Sequence, residues 1–235
     1  MRSPLILAIN TSSLQFSIAL ARESGALVAE YTLASGKTGS RPLFPALHEL
    51  LVRTGADLRD VRALAAATGP GSFTGLRVGL SAAKGLCRAL GIPIIGVPSL
   101  QALASQWACT DLPICALLGS KKGEVFTSLF RVRKGAGLLR EKEDCSLRMR
   151  ELAFFVEDRA VFIGDDFDGQ SGVIREILGS RADLAPGPVW TARASAVAAI
   201  AGNRLREGDV DDPETLVPNY LSAPDIRRNP SPVRS

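Results

Sequence analysis

The stretch "ATGPGSFTGLRVGLSAAKGL", Ala67 to Leu86, places five glycines in twenty residues that read as the end of a strand and the start of a helix. Two phosphate-binding signatures come close to it. A Walker loop requires GxxxxGK[ST], and here Gly75 is followed by Leu76; a dinucleotide fingerprint requires GxGxxG, and Thr74 stands where the third glycine belongs. What remains of an anion site is generic: Gly71 and Ser72 precede a helix, whose first N–H groups attract phosphate or carboxylate.

The helix divides into three stripes. Phe73, Leu76, Leu80, Ala83, Cys87 and Leu90 step by three and four as a core face, and Arg77, Ser81, Lys84 and Arg88 form a wet one. Gly75, Gly79 and Ala82 make a ridge of small residues between them. A glycine inside a helix costs roughly 1 kcal/mol relative to alanine, so Gly75, Gly79 and Gly85 together forfeit about 3 kcal/mol. Close approach of another backbone offsets such a loss through van der Waals contact. An internal neighbour, such as the helix expected over Leu43 to Thr54, and a second polypeptide both meet that requirement.

Upstream, "LILAIN", "FSIALA" and "LVAEYTL" read as three strands of an antiparallel meander, followed by a helix entered through Pro42 and Pro45 and by the strand "VRALAAATG". Downstream come the strand "IPIIGVPS" and the helix "SLQALASQWA", which Ser99 can cap. From Leu112 a second pass gives strands "PICALLGS", "EVFTSLFRV" and "AVFIGDD" and helices over Arg175 to Leu178 and "ASAVAAIAGNRLREG". It echoes the first half as a second α/β lobe would, without a residue-level repeat. The tail "SAPDIRRNPSPVRS" carries three prolines and is expected to fray.

Composition bounds the chemistry. The 235 residues are 46% apolar, enough for one or two domains with a sizeable core. Twenty-eight Lys and Arg against 24 Asp and Glu leave +4, with Arg227, Arg228 and Arg234 near the end. Cys87, Cys109, Cys115 and Cys145 form no CxxC pair, which fits reduced thiols and a cytoplasmic location. The apolar run Leu5 to Ile9 is too short for a signal-peptide core, and no segment reaches the length of a membrane span.

"LILAINTSS", "GPGSFTGLRVGLSAAKGLCRALGIPIIGVPSLQALA", "KKGEVF" and "VPNYLSAPDI" resemble the TsaB (YeaZ) family over nearly the full length. The resemblance implies an α/β, two-lobed actin-like ATPase fold (the ASKHA, ribonuclease H-like class), a mixed sheet with flanking helices in each lobe. It implies an N-terminal lobe over 1–103, a smaller C-terminal lobe over 104–222 whose last helix packs back on the first, and a flexible tail over 223–235. It also implies a non-catalytic subunit in the synthesis of tRNA threonylcarbamoyladenosine, paired with the transferase TsaD and joined by the ATPase TsaE. tRNA would be met indirectly through the complex, a homodimer would form in isolation, no membrane is involved, and ATP or ADP could sit at the partner junction.

The family's pairing surface is a bundle of the first two helices of each N-terminal lobe. Carried onto this chain, it falls on Leu43, Leu47, Leu50, Phe73, Gly75, Leu76, Gly79, Ala82, Ala83 and Leu86. A degenerate nucleotide site would use Asn10, Thr11 and Ser12 after the first strand and Gly69, Gly71 and Ser72 before the helix. Asn10 replaces the family's usual Asp, Gly39-Ser40 a His-Ser pair, and Gly119 lies where an Asp is common, so two carboxylates and an imidazole are missing from the expected cleft. An amide is a weak ligand for a hard cation.

His48 is the only histidine, so neither an HxxxH metal pair nor the second ligand of HExxH exists, Val52 occupying that place in "HELLV". A Ser-His-Asp triad would have to recruit His48, which helical spacing puts beside Phe44 and Leu51, partly buried. "GDDFDG", Gly164 to Gly169, reads either as an ordinary turn and cap or as the carboxylate source of an active phosphotransferase or ATPase of the same fold. Lys121, Lys122 and Glu124 read as a solvated hairpin or a tRNA-facing edge. Arg77, Ser72 and Thr74 sit at the mouth of the glycine turn, where capping and partner contact are both open.

Overall fold

An apolar strand at the centre of a sheet is buried on both faces, and Leu5–Asn10 (β1) is buried along its whole length. The computed structural model describes residues 4–34, 43–121 and 123–221. Pro42, the Gly39-Ser40 position, Lys122 and the tail from 222 lie outside the described residues.

Gln15–Arg22 (β2) and Leu27–Ala34 (β3) extend β1 as an antiparallel meander. Val61–Gly69 (β4) and Ile94–Pro98 (β5) add parallel strands on its other side, giving the order β3-β2-β1-β4-β5. Leu43–Thr54 (α1) connects β3 to β4, Phe73–Leu90 (α2) connects β4 to β5, and Ser99–Ser105 (α3) leads out. A second sheet is built from Ile114–Gly119 (β6), Glu124–Arg133 (β7), Gly137–Arg148 (β8), Ala160–Gly164 (β9) and Ala182–Leu184 (β10), in the order β10-β9-β6-β7-β8. Leu152–Phe155 (α4) and Phe167–Leu178 (α5) fill its connections, and Ala194–Arg206 (α6) follows.

The two sheets share one topology: β6 to β10 repeat β1 to β5 in order and in sense of pairing. The expected lobes are therefore duplicates at the level of connections. Two strands escape the sequence reading. β8 carries an unbroken charged run, Arg140 to Asp144 in "GLLREKEDCSLR", as an edge strand can, and β10 has only three residues. α5 begins at Phe167 rather than near Arg175, because Asp166 caps it by accepting from Gly169 N–H at 3.0 Å. Ser99 does not cap α3; the residue before the helix is Pro98, and the Ser99 hydroxyl accepts from Gly69 N–H at 3.0 Å.

Residue size sorts the two faces of the first sheet. Leu5, Leu7 and Ile9 meet large side chains from α1 and α2, including Leu47, Leu50 and Leu80. The opposite face is alanine-rich (Ala8, Ala19, Ala63, Ala65 and Ala67) and meets Ala194, Val197, Ala198 and Ala201 of α6. Small residues on both partners let the last helix lie close across the first lobe. α6 has no cap from its own preceding residue, Arg193. Glu30 of β3 supplies it instead, accepting from Ser195 N–H at 2.9 Å and from the Ser195 hydroxyl at 3.0 Å.

The glycines of α2 separate by environment. A Cβ at Gly79 would collide with the Thr11 hydroxyl, which itself donates to the Gly75 carbonyl at 2.7 Å; at Gly85 a Cβ would meet nothing within 4 Å. Gly79→Ala is therefore expected to destabilise the chain by about 1–3 kcal/mol through overpacking. Gly85→Ala should stabilise it by up to about 1 kcal/mol through helix propensity. Urea unfolding of the two variants checks this opposition in sign.

Candidate partner-binding face and interlobe cleft

Two turns from neighbouring strands close on each other at the top of the first lobe. Asn10 ends β1 and folds the chain into an Asx turn: its Oδ1 accepts from Ser12 N–H at 3.1 Å and from the Ser12 hydroxyl at 2.7 Å. The Ser12 carbonyl then accepts from Ser72 N–H at 2.6 Å. Gly71 lies so close to that carbonyl that a Cβ would overlap it, and Ser72 caps α2 by accepting from Gly75 N–H at 3.2 Å. Asn10, Thr11 and Ser12 are buried, and a Cβ on Gly69 would meet the Asn219 carbonyl.

The positions expected to cradle a nucleotide are thus packed against one another. Ser12 and Ser72 line the cleft between the lobes, whereas Asn10, Thr11, Gly69 and Gly71 lie behind it. The amide nitrogen of Asn10 is buried without a hydrogen-bond partner among the described residues.

The cleft measures about 280 Å³ and is completed by Ser13, Leu14, Gly119, Ser120, Asp165, Asp166 and Gln170. "GDDFDG" is at once a strand-to-helix turn with a cap and a wall of this cleft. Asp165 Oδ1 accepts from Gly119 N–H at 3.0 Å and from Gln170 Nε2 at 3.2 Å. Burial holds its carboxyl above the ordinary carboxylate range, against the lowering effect of the Gly119 hydrogen bond. Gln15 ties the lobes together: its Nε2 donates to the Asp165 carbonyl at 3.2 Å and its Oε1 accepts from Ala192 N–H at 3.1 Å. No group of three or more His, Cys, Asp or Glu side chains is placed to hold a metal ion among the described residues.

The helix pair requires a correction residue by residue. Leu43, Leu47, Leu50, Gly75, Leu76, Gly79 and Ala83 are buried inside this chain, where they shape the helices and offer little surface to a partner. A bulky residue at Gly79 therefore disrupts this fold rather than reporting on an interface. Phe73 stacks on Tyr220 at 4.8 Å between ring centroids. Of the expected partner residues, Phe73, Ala82 and Leu86 keep partial exposure.

The outward face is displaced from that set. On α1 it carries Phe44 (59% exposed), His48 and Val52 (63%), and on α2 Val78 (41%), Ala82, Gly85 and Ala89. Both helices lie on one face of the sheet, α1 over β2 and β3 and α2 over β1 and β4. His48 is exposed, not partly buried: the inward stripe runs through Leu43, Ala46, Leu47 and Leu50, and His48 repeats at four-residue spacing with Phe44 and Val52. The apolar sequence 78, 82, 85, 89, out of phase with the core face, was the signal for this surface. Gln15 and Gln170 had no sequence signal, because their roles depend on the second lobe meeting the first.

Fold and site together define a two-lobed α/β protein whose two five-stranded sheets share one topology, with the β1–β2 turn packed on the start of α2 and a pair of helices presenting apolar side chains to solvent. A family model described as TsaD, tRNA N6-adenosine threonylcarbamoyltransferase, matches residues 34–142. The tRNA threonylcarbamoyladenosine biosynthesis protein TsaB of Bacillus subtilis is 31% identical over 219 residues, 92% of this chain and 93% of that protein. TsaB of Escherichia coli is 35% identical over 123 residues, 52% of each. The solved structure of YeaZ from Pseudomonas aeruginosa superposes with a TM-score of 0.76 at 24% identity, covering 93% of this chain and all of its own. The chain belongs to the TsaB family. No helix among the described residues is long and apolar enough to cross a membrane.

The raised carboxyl of Asp165 has a stability consequence of fixed sign. A group that binds its proton more tightly when folded favours folding below its unfolded pKa, and that contribution is lost as pH rises through the folded one. Asp165→Asn, which keeps the acceptor at Oδ1, is expected to melt higher than the parent at neutral pH. A difference of a few degrees is the scale, since about 1 kcal/mol is worth ~2–4 °C in a chain of this size. The two melting curves should converge in acid, below the ordinary carboxylate range; thermal melts across pH read both limbs.

Proposed function

We propose that this chain is a non-catalytic scaffold subunit of the machinery that makes threonylcarbamoyladenosine in tRNA, and that it pairs with the transferase TsaD through the outer faces of α1 and α2. The observation that carries the reading is the exposed apolar stripe on two adjacent helices of a TsaB-family chain, with Phe44, Val52 and Val78 standing in solvent. Exposed patches of that kind are covered by partners. Gly85 and Ala89 keep the α2 side shallow, so a partner helix can approach its backbone closely. In the absence of TsaD the same face would pair two copies of the chain. TsaE and nucleotide would engage near the junction of the two proteins, and tRNA would be met through the complex.

The internal use of the β1–β2 turn supports a non-catalytic role. Thr11, Ser12 and Gly71 are committed to holding α2, and Asn10 offers an amide where a cation would need a carboxylate. The competing reading, an active phosphotransferase or ATPase, draws on Asp165 and Asp166 in the cleft wall. It predicts ATP turnover by the isolated chain that is lost at one of those aspartates.

Val78→Glu places a carboxylate in the middle of the proposed face without touching the core. It should lower co-purification with TsaD by at least about tenfold, because a charge buried without a partner is costly, while the melting temperature stays that of the parent. Undiminished co-purification by Val78→Glu, with Gly85→Arg behaving alike, would remove α2 from the interface.

A further inference from the structure

After α6 the chain returns to the first lobe and runs back along α2. Asp211 N–H donates to the Ile94 carbonyl at 2.9 Å, and its Oδ2 accepts from Gly96 N–H at 2.7 Å. Asn219 N–H donates to the Thr68 carbonyl at 2.7 Å, and Tyr220 ends the segment against Phe73. Two adjoining hollows of about 430 and 420 Å³ lie between this segment and the helix, meeting at Lys84. Leu80, Cys87, Ile92 and Leu216 contribute apolar walls, and Val217 stands 67% exposed at the edge.

Arg77, Lys84 and Arg88 line the same channel from the wet stripe of α2. Arg88 pairs with Glu214 at 3.1 Å, but the Lys84 ammonium has no hydrogen-bond or ion-pair partner among the described residues. Arg77 lies over the Phe73 ring at 4.0 Å and donates through Nε to the Tyr220 hydroxyl at 3.1 Å. That leaves its terminal nitrogens without a hydrogen-bond partner among the described residues, and a guanidinium so placed can take a carboxylate bidentately.

We propose that this channel is a docking groove for an extended peptide segment of a partner protein in which acidic residues alternate with apolar ones. Alternation is what a strand requires to present carboxylates to the cations and aliphatic groups to the walls. Arg77 to Arg88 spans eleven helical positions, about 16 Å, the length of roughly five extended residues. The chain's own final segment is the wrong occupant, because residues 222–235 hold Arg227, Arg228 and Arg234 against Asp225 and add to the positive field. RNA fits less well: single strands bind on open aromatic faces, and here Phe73 and Tyr220 are stacked on each other and on Arg77. The groove does not rest on the TsaD reading, since its cations lie about 100° round α2 from Val78.

Fluorescence anisotropy with the full chain tests the groove. The probes are a short labelled peptide alternating leucine and aspartate, its serine-for-leucine counterpart, and a labelled oligouridylate. The leucine–aspartate peptide should bind more tightly than either of the others. Lys84→Glu should weaken it by about tenfold or more without lowering the melting temperature, and Val78→Glu should leave it unchanged. Equal binding of the serine peptide, tighter binding of oligouridylate, or parental affinity in Lys84→Glu would each overturn the groove. None of these outcomes alters the test of the TsaD face, which is read at Val78.

Discussion

Everything in the first lobe is placed by the contact between the β1–β2 turn and the start of α2. Ser12 gives its carbonyl to Ser72 N–H at 2.6 Å, Thr11 gives its hydroxyl to the Gly75 carbonyl at 2.7 Å, and Gly71 and Gly79 have no side chain to stand in the way. A Cβ on Gly71 would overlap the Ser12 backbone carbonyl, and one on Gly79 would overlap the Thr11 side chain. The helix-propensity cost of Gly79 is therefore offset within the chain, by contact with Thr11 and Ile9. The same closeness fixes the rotation of α2, and with it which side chains face outward.

The second lobe repeats the connections of the first with different chemistry at its turns. Where the first lobe brings Gly71 and Ser72 to the start of α2, the second brings Asp165 and Asp166 to the start of α5. Asp165 is drawn inward by Gly119 and Gln170 and held toward its protonated form by burial. Gln15 spans the junction, and α6 from the far end of the chain covers the alanine face of the first sheet with its N-terminus held by Glu30. The cleft is thus bounded by groups that mostly satisfy one another. On the outside of α2 two surfaces keep unmet chemistry, an apolar stripe through Val78 that continues on α1 at Phe44 and Val52, and a basic one through Lys84.

Much of this was legible in the residues. The three-strand meander, both long helices and the parallel strands that follow are written in runs such as "LILAIN" and in the three-and-four spacing of Leu76, Leu80, Ala83 and Cys87, since burial on one side imposes those periods. β8 was not legible, because a charged edge strand has no buried face to impose alternation of the usual kind. His48 was misplaced by one stripe: the spacing reveals that α1 is amphipathic, but Phe44 and Leu51 flank the boundary and only the sheet beneath decides which side is wet.

The sequence by itself pointed to a close approach at the glycines of α2, because no phosphate signature was complete and each costs helix stability. It also carried the family resemblance, which the relatives of matching length bear out. Only the tertiary structure decided which backbone makes the approach. Gly75 and Gly79 face the chain's own Thr11, and Gly85 faces solvent. The reason is geometric: a ridge of small residues records that something lies near, whereas the identity of that neighbour depends on a turn more than sixty residues away in the chain and on the rotation of the helix about its axis.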